Sequence, residues 1–114
     1  IADTYNHRVQ MWAPESTEGV TILNFDDIEL ESFNYFSGIT IDNNNNLYLS
    51  DYENRRIIEF DLNDRSLKIV AGGNDDGNAA NQLSHPFQIV SKTGDFILIA
   101  DAKNNRIQKW KLNN

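Results

Sequence analysis

The chain contains no cysteine, two prolines, six glycines and one methionine in its 114 residues. Without cysteine there is neither a disulfide framework nor thiolate chemistry to consider. Positive charge is also scarce. Lys and Arg number 10 against 17 Asp and Glu, for a net charge of −7, and holding a phosphate backbone needs clustered Lys and Arg. Nucleic acid is therefore a poor expectation for these residues. No apolar run approaches the roughly 20 residues that cross a bilayer as a helix. No stretch repeats apolar residues at the 3.6-residue helical period, which excludes helical and leucine-rich repeats. The sequence has no Asn-x-Ser/Thr sequon, no HExxH, no GxSxG and no Gly-rich phosphate loop. Its two histidines, His7 and His85, stand in no metal-ligand spacing. No metal, cofactor or catalytic residue is expected.

What is present is repetition. Asp3-Thr4-Tyr5-Asn6-His7-Arg8-Val9-Gln10-Met11-Trp12 returns from Asp51 to Phe60 and again from Asp101 to Trp110, at spacings of 48 and 50 residues. A fixed period of that size marks a repeat whose units bury their apolar faces by stacking on one another.

One period reads as four short strands, which we label a to d. In the middle unit Gly38 to Asp42 is β-branched, and Asn43 to Asn46 is a turn. Leu47 to Asp51 alternates, with Leu47 and Leu49 on one side and Tyr48 and Ser50 on the other. Arg56 to Leu62 and Leu67 to Ala71 follow, and Gly72-Gly73 ends the unit. Radial repetition of such four-stranded antiparallel units is the β-propeller pattern, with typically about four to eight blades. The expected fold is all-β: a partial propeller of about two and a half blades, divided as 1–23 (partial), 36–73 (complete) and 86–114 (partial). The first unit lacks strand a and the last lacks strand d. Such a piece leaves open blade edges, so it is expected to be a fragment of a longer protein or to self-associate.

The turn Asn6-His7-Arg8 after an Asp-ended strand, with Asn54-Arg55-Arg56 and Asn104-Asn105-Arg106 in its place elsewhere, resembles the NHL repeat, a family named for Asn-His-Leu here. Val70 to Gly73, the loop ending Gln82-Leu83-x-x-Pro86 and the Ala-Asp strand ends (Ala2-Asp3, Ala100-Asp101) fit the same pattern. The segment Asn24 to Tyr35 departs from it by lacking the Gly-rich turn, and Phe36 stands where the last unit has Pro86. The resemblance implies a six-bladed ring in the parent protein and a non-catalytic protein-binding scaffold. Such propellers accompany RING and B-box modules in ubiquitin ligases. Some bind single-stranded RNA through a basic surface, which the acidic balance here disfavours. Related propellers include metal-dependent peptidyl-hydroxyglycine lyases with histidines in the central channel, a second reading that His7 and His85 alone serve poorly.

The recurring polar residues invite a structural assignment. Asp closes strand b and Arg opens strand c five residues on, so Asp3–Arg8, Asp51–Arg56 and Asp101–Arg106 are expected to form ion pairs, bidentate if the fork faces the carboxylate. The Asn between them suits a left-handed turn. Because strand direction alternates, the b–c turns and the d–a loops share one rim. That rim holds the candidate binding residues Tyr5, Asn6, His7, Tyr52, Glu53, Asn54, Arg55, Lys103, Asn104, Asn105 and His85, with a protein as the expected partner. Asn74 to Asn78 has oxygens enough to suggest calcium, although its spacing is not that of an EF-hand, and a polar turn is the simpler assignment. The acidic run Asp26, Asp27, Glu29, Glu31 reads as a solvated loop able to attract a basic partner. Trp12, Phe60 and Trp110 recur at one register of strand c, as expected for packing between blades.

Overall fold

Short β-branched runs broken by Asn, Asp and Gly leave the backbone little choice but antiparallel hairpins, and ten strands result among the described residues. The computed structural model describes residues 1–27, 35–91 and 93–112; Glu29 and Glu31 of the acidic run lie outside them. β1 (Ala2–Asp3), β2 (Arg8–Met11) and β3 (Val20–Asn24) form the first sheet. β4 (Phe36–Ile41), β5 (Asn46–Asp51), β6 (Arg56–Asp61) and β7 (Leu67–Gly72) form the second. β8 (Pro86–Ser91), β9 (Phe96–Asp101) and β10 (Arg106–Lys111) form the third. These strands all pair antiparallel. The chain is all-β, a partial propeller in which sheets of three, four and three strands stand side by side. Among the described residues no helix is long and apolar enough to cross a membrane.

The middle sheet is covered on both faces, as the alternation along β5 requires. Leu47, Leu49 and Phe60 pack with Val9, Leu23 and Phe25 from the first sheet's side. Tyr48, Ile57 and Ala71 pack with Ile89, Ile97 and Ile99 of the third sheet. Each buried Val, Leu, Ile or Phe among them contributes about 1.5–3 kcal/mol relative to its exposed state. Of the three recurring aromatics, Phe60 is buried and Trp110 is half-buried against the second of these cores. Trp12 departs from the expectation. It follows the end of β2 and is 44% exposed, with its indole nitrogen donating to Gln10 Oε1 at 3.2 Å.

Irregularities recur with the repeat. β4 and β8 each carry one extra residue, between Phe36 and Ile39 and between Pro86 and Ile89. β3 and β7 do the same at Ile22 and Val70. Bulges increase strand twist, and their equal placement gives the sheets a common shape. The bulged regions of β4 and β8 touch. The Ser37 hydroxyl lies 2.9 Å from the Pro86 carbonyl and 3.0 Å from that of Phe87. A Cβ at Gly38 would collide with the Phe87 carbonyl, so glycine is what allows this approach.

Candidate functional site: the rim of the b–c turns

Each b–c turn is built by the same local chemistry. The chain leaves strand b at Asp, makes one tight turn and passes through a left-handed residue: His7 at φ 52°, Arg55 at φ 54° and Asn105 at φ 52°. In the first and third repeats the turn is a 3₁₀ turn, Thr4–Asn6 and Ala102–Asn104, closed by His7 N–H to Thr4 O at 3.1 Å and Asn105 N–H to Ala102 O at 3.2 Å. In the middle repeat Arg55 N–H reaches Tyr52 O at 3.3 Å. The left-handed residue is therefore the one after the expected Asn. Asn6 and Asn54 instead turn their amides onto both oxygens of Asp3 and Asp51, at 3.0–3.1 Å. Asn104 holds Asp101 Oδ2 at 2.8 Å. The side chain is occupied as a carboxylate clamp, which leaves the strained backbone position to its neighbour.

The arginines contact the same carboxylates from strand c. Arg8 Nε donates to Asp3 Oδ2 at 2.7 Å, Arg56 to Asp51 at 2.7 Å and Arg106 to Asp101 at 2.8 Å. The contact runs through Nε in each case, not through a bidentate fork. In the third repeat the rest of the guanidinium is used elsewhere. Arg106 Nη1 donates to Asn78 O at 2.7 Å, and Nη2 donates to Ala79 O at 3.0 Å and Gln82 O at 2.9 Å. Asn104 also reaches Gly77 O, and Ser84 N–H donates to Asp101 Oδ1 at 2.7 Å. One arginine, one asparagine and one aspartate thus strap the loop of residues 74–85 to the b–c turn.

The same arrangement occupies oxygens of the segment 74–78, where the sequence suggested calcium. Its carbonyls accept from protein donors: Asn74 from Gln82, Gly77 from Asn104 and Asn78 from Arg106. Asp76 lies 3.4 Å from Arg55 Nε. The segment is a polar loop tied from within. Among the described residues no group of three or more His, Asp or Glu side chains could hold a metal ion.

The same carboxylate motif sits in different surroundings. Side-chain bonds from Asn6 and Arg8 hold Asp3 below the ordinary aspartate range. Burial pushes Asp51 up in spite of Arg56 and Asn54. A side-chain bond from Ser84 holds Asp76 low, helped by the charges of Arg55, His85 and Lys103.

The rim gathers the residues expected there, with unequal access. Tyr5, Asn6, His7, Glu53, Lys103 and Asn105 are exposed, and Tyr52, Asn54, Arg55 and Asn104 are half-buried. His7 Nδ1 lies 3.4 Å from Asp26 Oδ1. His85 is a correction to the expected contact surface: it is buried, its ring 4.9 Å from Tyr52 and its Nδ1 3.4 Å from Ser84 Oγ. The two histidines are held by different neighbours and are not brought together. Two aromatics that sequence reasoning left out belong here. Tyr35 and Phe87, both exposed, lie 5.8 Å and 6.3 Å from the Tyr52 ring. The signal was available, since Tyr35 and His85 precede strand a at equivalent positions.

The opposite rim, where turns 42–46 and 61–66 meet through Leu62 N–H to Asn45 O at 3.0 Å, carries a second polar arrangement. Asp42 Oδ1 accepts from the backbone of Asn44 and Asn46, and its Oδ2 accepts from Asn46 Nδ2 at 3.0 Å and from the Tyr48 hydroxyl at 2.9 Å. Burial works against this carboxylate, but those donors outweigh it and hold it below the ordinary range. Nearby Glu59 is buried with Lys68 Nζ at 3.5 Å from Oε2, and burial pushes its carboxyl up. A separate apolar cleft, lined by Val9, Met11, Ile39, Ile41, Leu47 and Leu62, opens between the first two sheets.

No family model matches the chain, and no curated protein matches it. Among solved structures it is similar to a structural genomics protein of unknown function from Bacteroides thetaiotaomicron, at 19% identity and a TM-score of 0.72. The likeness covers 97% of this chain and 31% of that one, so the chain spans under a third of that protein's length. At this identity the similarity is one of fold alone.

Proposed function

We propose that the chain is a segment of an NHL-type propeller, six-bladed in its complete form, and that it acts as a non-catalytic protein-binding scaffold through the b–c rim. The observation that carries this reading is the Tyr35–Tyr52–Phe87 cluster, in which Tyr35, just before β4, and Phe87, in β8, are exposed beside Tyr52 on the turn that Asp51 holds through Asn54 and Arg56. Tyrosine and phenylalanine offer large contact area at low side-chain entropy, and aromatics are enriched at protein interfaces. A rigid scaffold holding such loops is a common basis for partner recognition. In a parent with RING and B-box modules this segment would serve recognition, leaving ubiquitin transfer to the other modules. RNA suits the surface less well, since the chain carries a net −7. The lyase reading has little support in the separate placement of His7 and His85.

A photo-crosslinking amino acid placed at Glu53, or at Asn63 on the opposite rim, tests this in extract of the source cells. We expect protein adducts from the Glu53 position that Tyr52→Ala removes. Adducts formed equally from Asn63, or adducts to RNA, would sink the reading.

A further inference from the structure

Four rings meet at the junction of the second and third sheets. Tyr52 stands at their centre, with Tyr35 at 5.8 Å and an interplanar angle of 72°, Phe87 at 6.3 Å and 83°, and His85 at 4.9 Å. The junction is complete within the chain: loop 74–85 runs from one sheet to the other, and the Ser37 hydroxyl joins β4 to β8 beside it. Hydrogen bonds fix the backbone of both outer rings. Tyr35 O accepts from Tyr52 N–H at 2.9 Å, and Phe87 O from the Ser37 hydroxyl at 3.0 Å. Two other phenyl rings are covered by the chain's own cations, Phe60 by Arg65 at 5.3 Å and Phe96 by Lys109 at 4.4 Å. Among the described residues no cation stands over Tyr35 or Phe87, which are 37% and 50% exposed. The nearby Arg55 is turned to Asp76, 3.4 Å from its Nε, and the charge of Lys103 acts on the same carboxylate. Glu53, next to Tyr52, and Asp75, next to Asp76, are exposed and form no ion pair among the described residues.

We propose that Tyr35 and Phe87 form the receiving face for an arginine side chain of the partner protein, so that the rim selects a basic segment over a neutral or an acidic one. This rests on the rim's being a protein-binding surface, and names the side chain that the surface takes. A guanidinium is attracted by the negative face of an aromatic ring and stacks flat upon it. Arginine is also among the residues that carry most of the energy at protein interfaces. The surrounding charge has the matching sign. Arg55 and Lys103 stand against three carboxylates, Glu53, Asp75 and Asp76, in a chain whose net charge is −7. Such a field speeds the approach of a cation and opposes that of an anion. The rings are already held in place, so little ordering is left to be imposed when the arginine arrives.

The test titrates three acetylated and amidated pentapeptides into the full chain: Gly-Ser-Arg-Ser-Gly and its citrulline and glutamate counterparts. The ring protons of Tyr35 and Phe87 are followed by NMR. We expect the arginine peptide to shift both rings and to bind about fivefold tighter than its neutral citrulline isostere, the factor for a cation–π contact at an exposed site. The glutamate peptide should bind most weakly. Tyr35→Leu and Phe87→Leu keep apolar bulk and lose the π face, so each should bring the arginine preference close to unity, whereas Phe87→Tyr should keep it. If one leucine variant does not fold, the other carries the test. Equal affinities for the arginine and citrulline peptides, no binding by the arginine peptide, a preference that survives both leucine variants, or shifts confined to other residues would each overturn the proposal. Protein adducts from the Glu53 position alongside any of these results would leave the protein-binding surface standing without its arginine site. Absence of protein adducts removes both.

Discussion

Arg56 Nε lies 2.7 Å from Asp51 Oδ2, with the carboxylate side chain wholly buried and the arginine side chain 13% exposed. The first repeat makes the same contact at the same distance between Arg8 and Asp3, but there the aspartate side chain is 28% exposed. A buried pair need not outweigh its own desolvation, yet removing one member strands the other charge. Asp51→Ala should therefore cost about 3–5 kcal/mol in urea unfolding, as expected for a broken buried pair. Asp3→Ala should cost a small part of that, since water can replace the lost partner. Equal losses at the two positions would show that burial does not set the energy of this motif.

Ser50 offers a stabilising change. It is fully buried in β5, and its hydroxyl has no hydrogen-bond partner among the described residues. The third repeat carries Ala100 at the same register. Leaving a buried polar group unsatisfied costs about 1–3 kcal/mol, so Ser50→Ala should raise the melting temperature and gain about 1 kcal/mol. A lowered melting temperature would mean that the hydroxyl has a partner, such as a buried water.

Two carboxylates near the opposite rim should give opposite pH dependences. Burial raises Glu59, so its contribution is fully present below the ordinary glutamate value and is lost as pH rises through the raised one. Glu59→Gln should match the wild type at acidic pH and grow relatively more stable as pH climbs, then level off. Asp42 is lowered, so its contribution is present above the ordinary aspartate value and is lost as pH falls through the lowered one. Tyr48→Phe removes one of its donors and should cost about 1.5–3 kcal/mol at neutral pH, the range for bonds to charged groups. That cost should shrink in strong acid. Melting curves of both variants from acidic to neutral pH check the two signs, and a pH-independent offset for either would refute its assignment.

Much of the architecture was readable because strand alternation and polar turns are local signals. The bounds of β5 and β9 follow almost directly from Leu47, Leu49, Ile97 and Ile99 ending in Asp. The bulges at Ile22 and Val70 were not readable, since an extra β-branched residue in a strand leaves no mark on the pattern. The Asp42–Tyr48 bond was hidden for a different reason: it depends on how the turn of four asparagines folds Asp42 back beside β5, and such a run does not specify that. The b–c turns were expected to share a rim, but the approach of Tyr35 and Phe87 to Tyr52 was not. Tyr35 falls outside the strand pattern, and His85 looked accessible until Tyr52 was seen against it. Arg106 was paired with Asp101 from spacing alone, while its reach to Asn78, Ala79 and Gln82 depends on a loop fold that spacing does not specify.

The middle sheet takes part in both apolar cores, whereas each outer sheet takes part in only one. Cooperativity in such a stack is carried between nearest neighbours. Either outer sheet can open with one core lost and the other intact, but β5 cannot be freed until both are gone. The amides of β5 should then be the slowest to exchange and should report global unfolding, while those of β3 and β10 exchange through cheaper partial openings. The protein would come apart from its flanks inward, with the Tyr48–Leu49 pair the last to reach water.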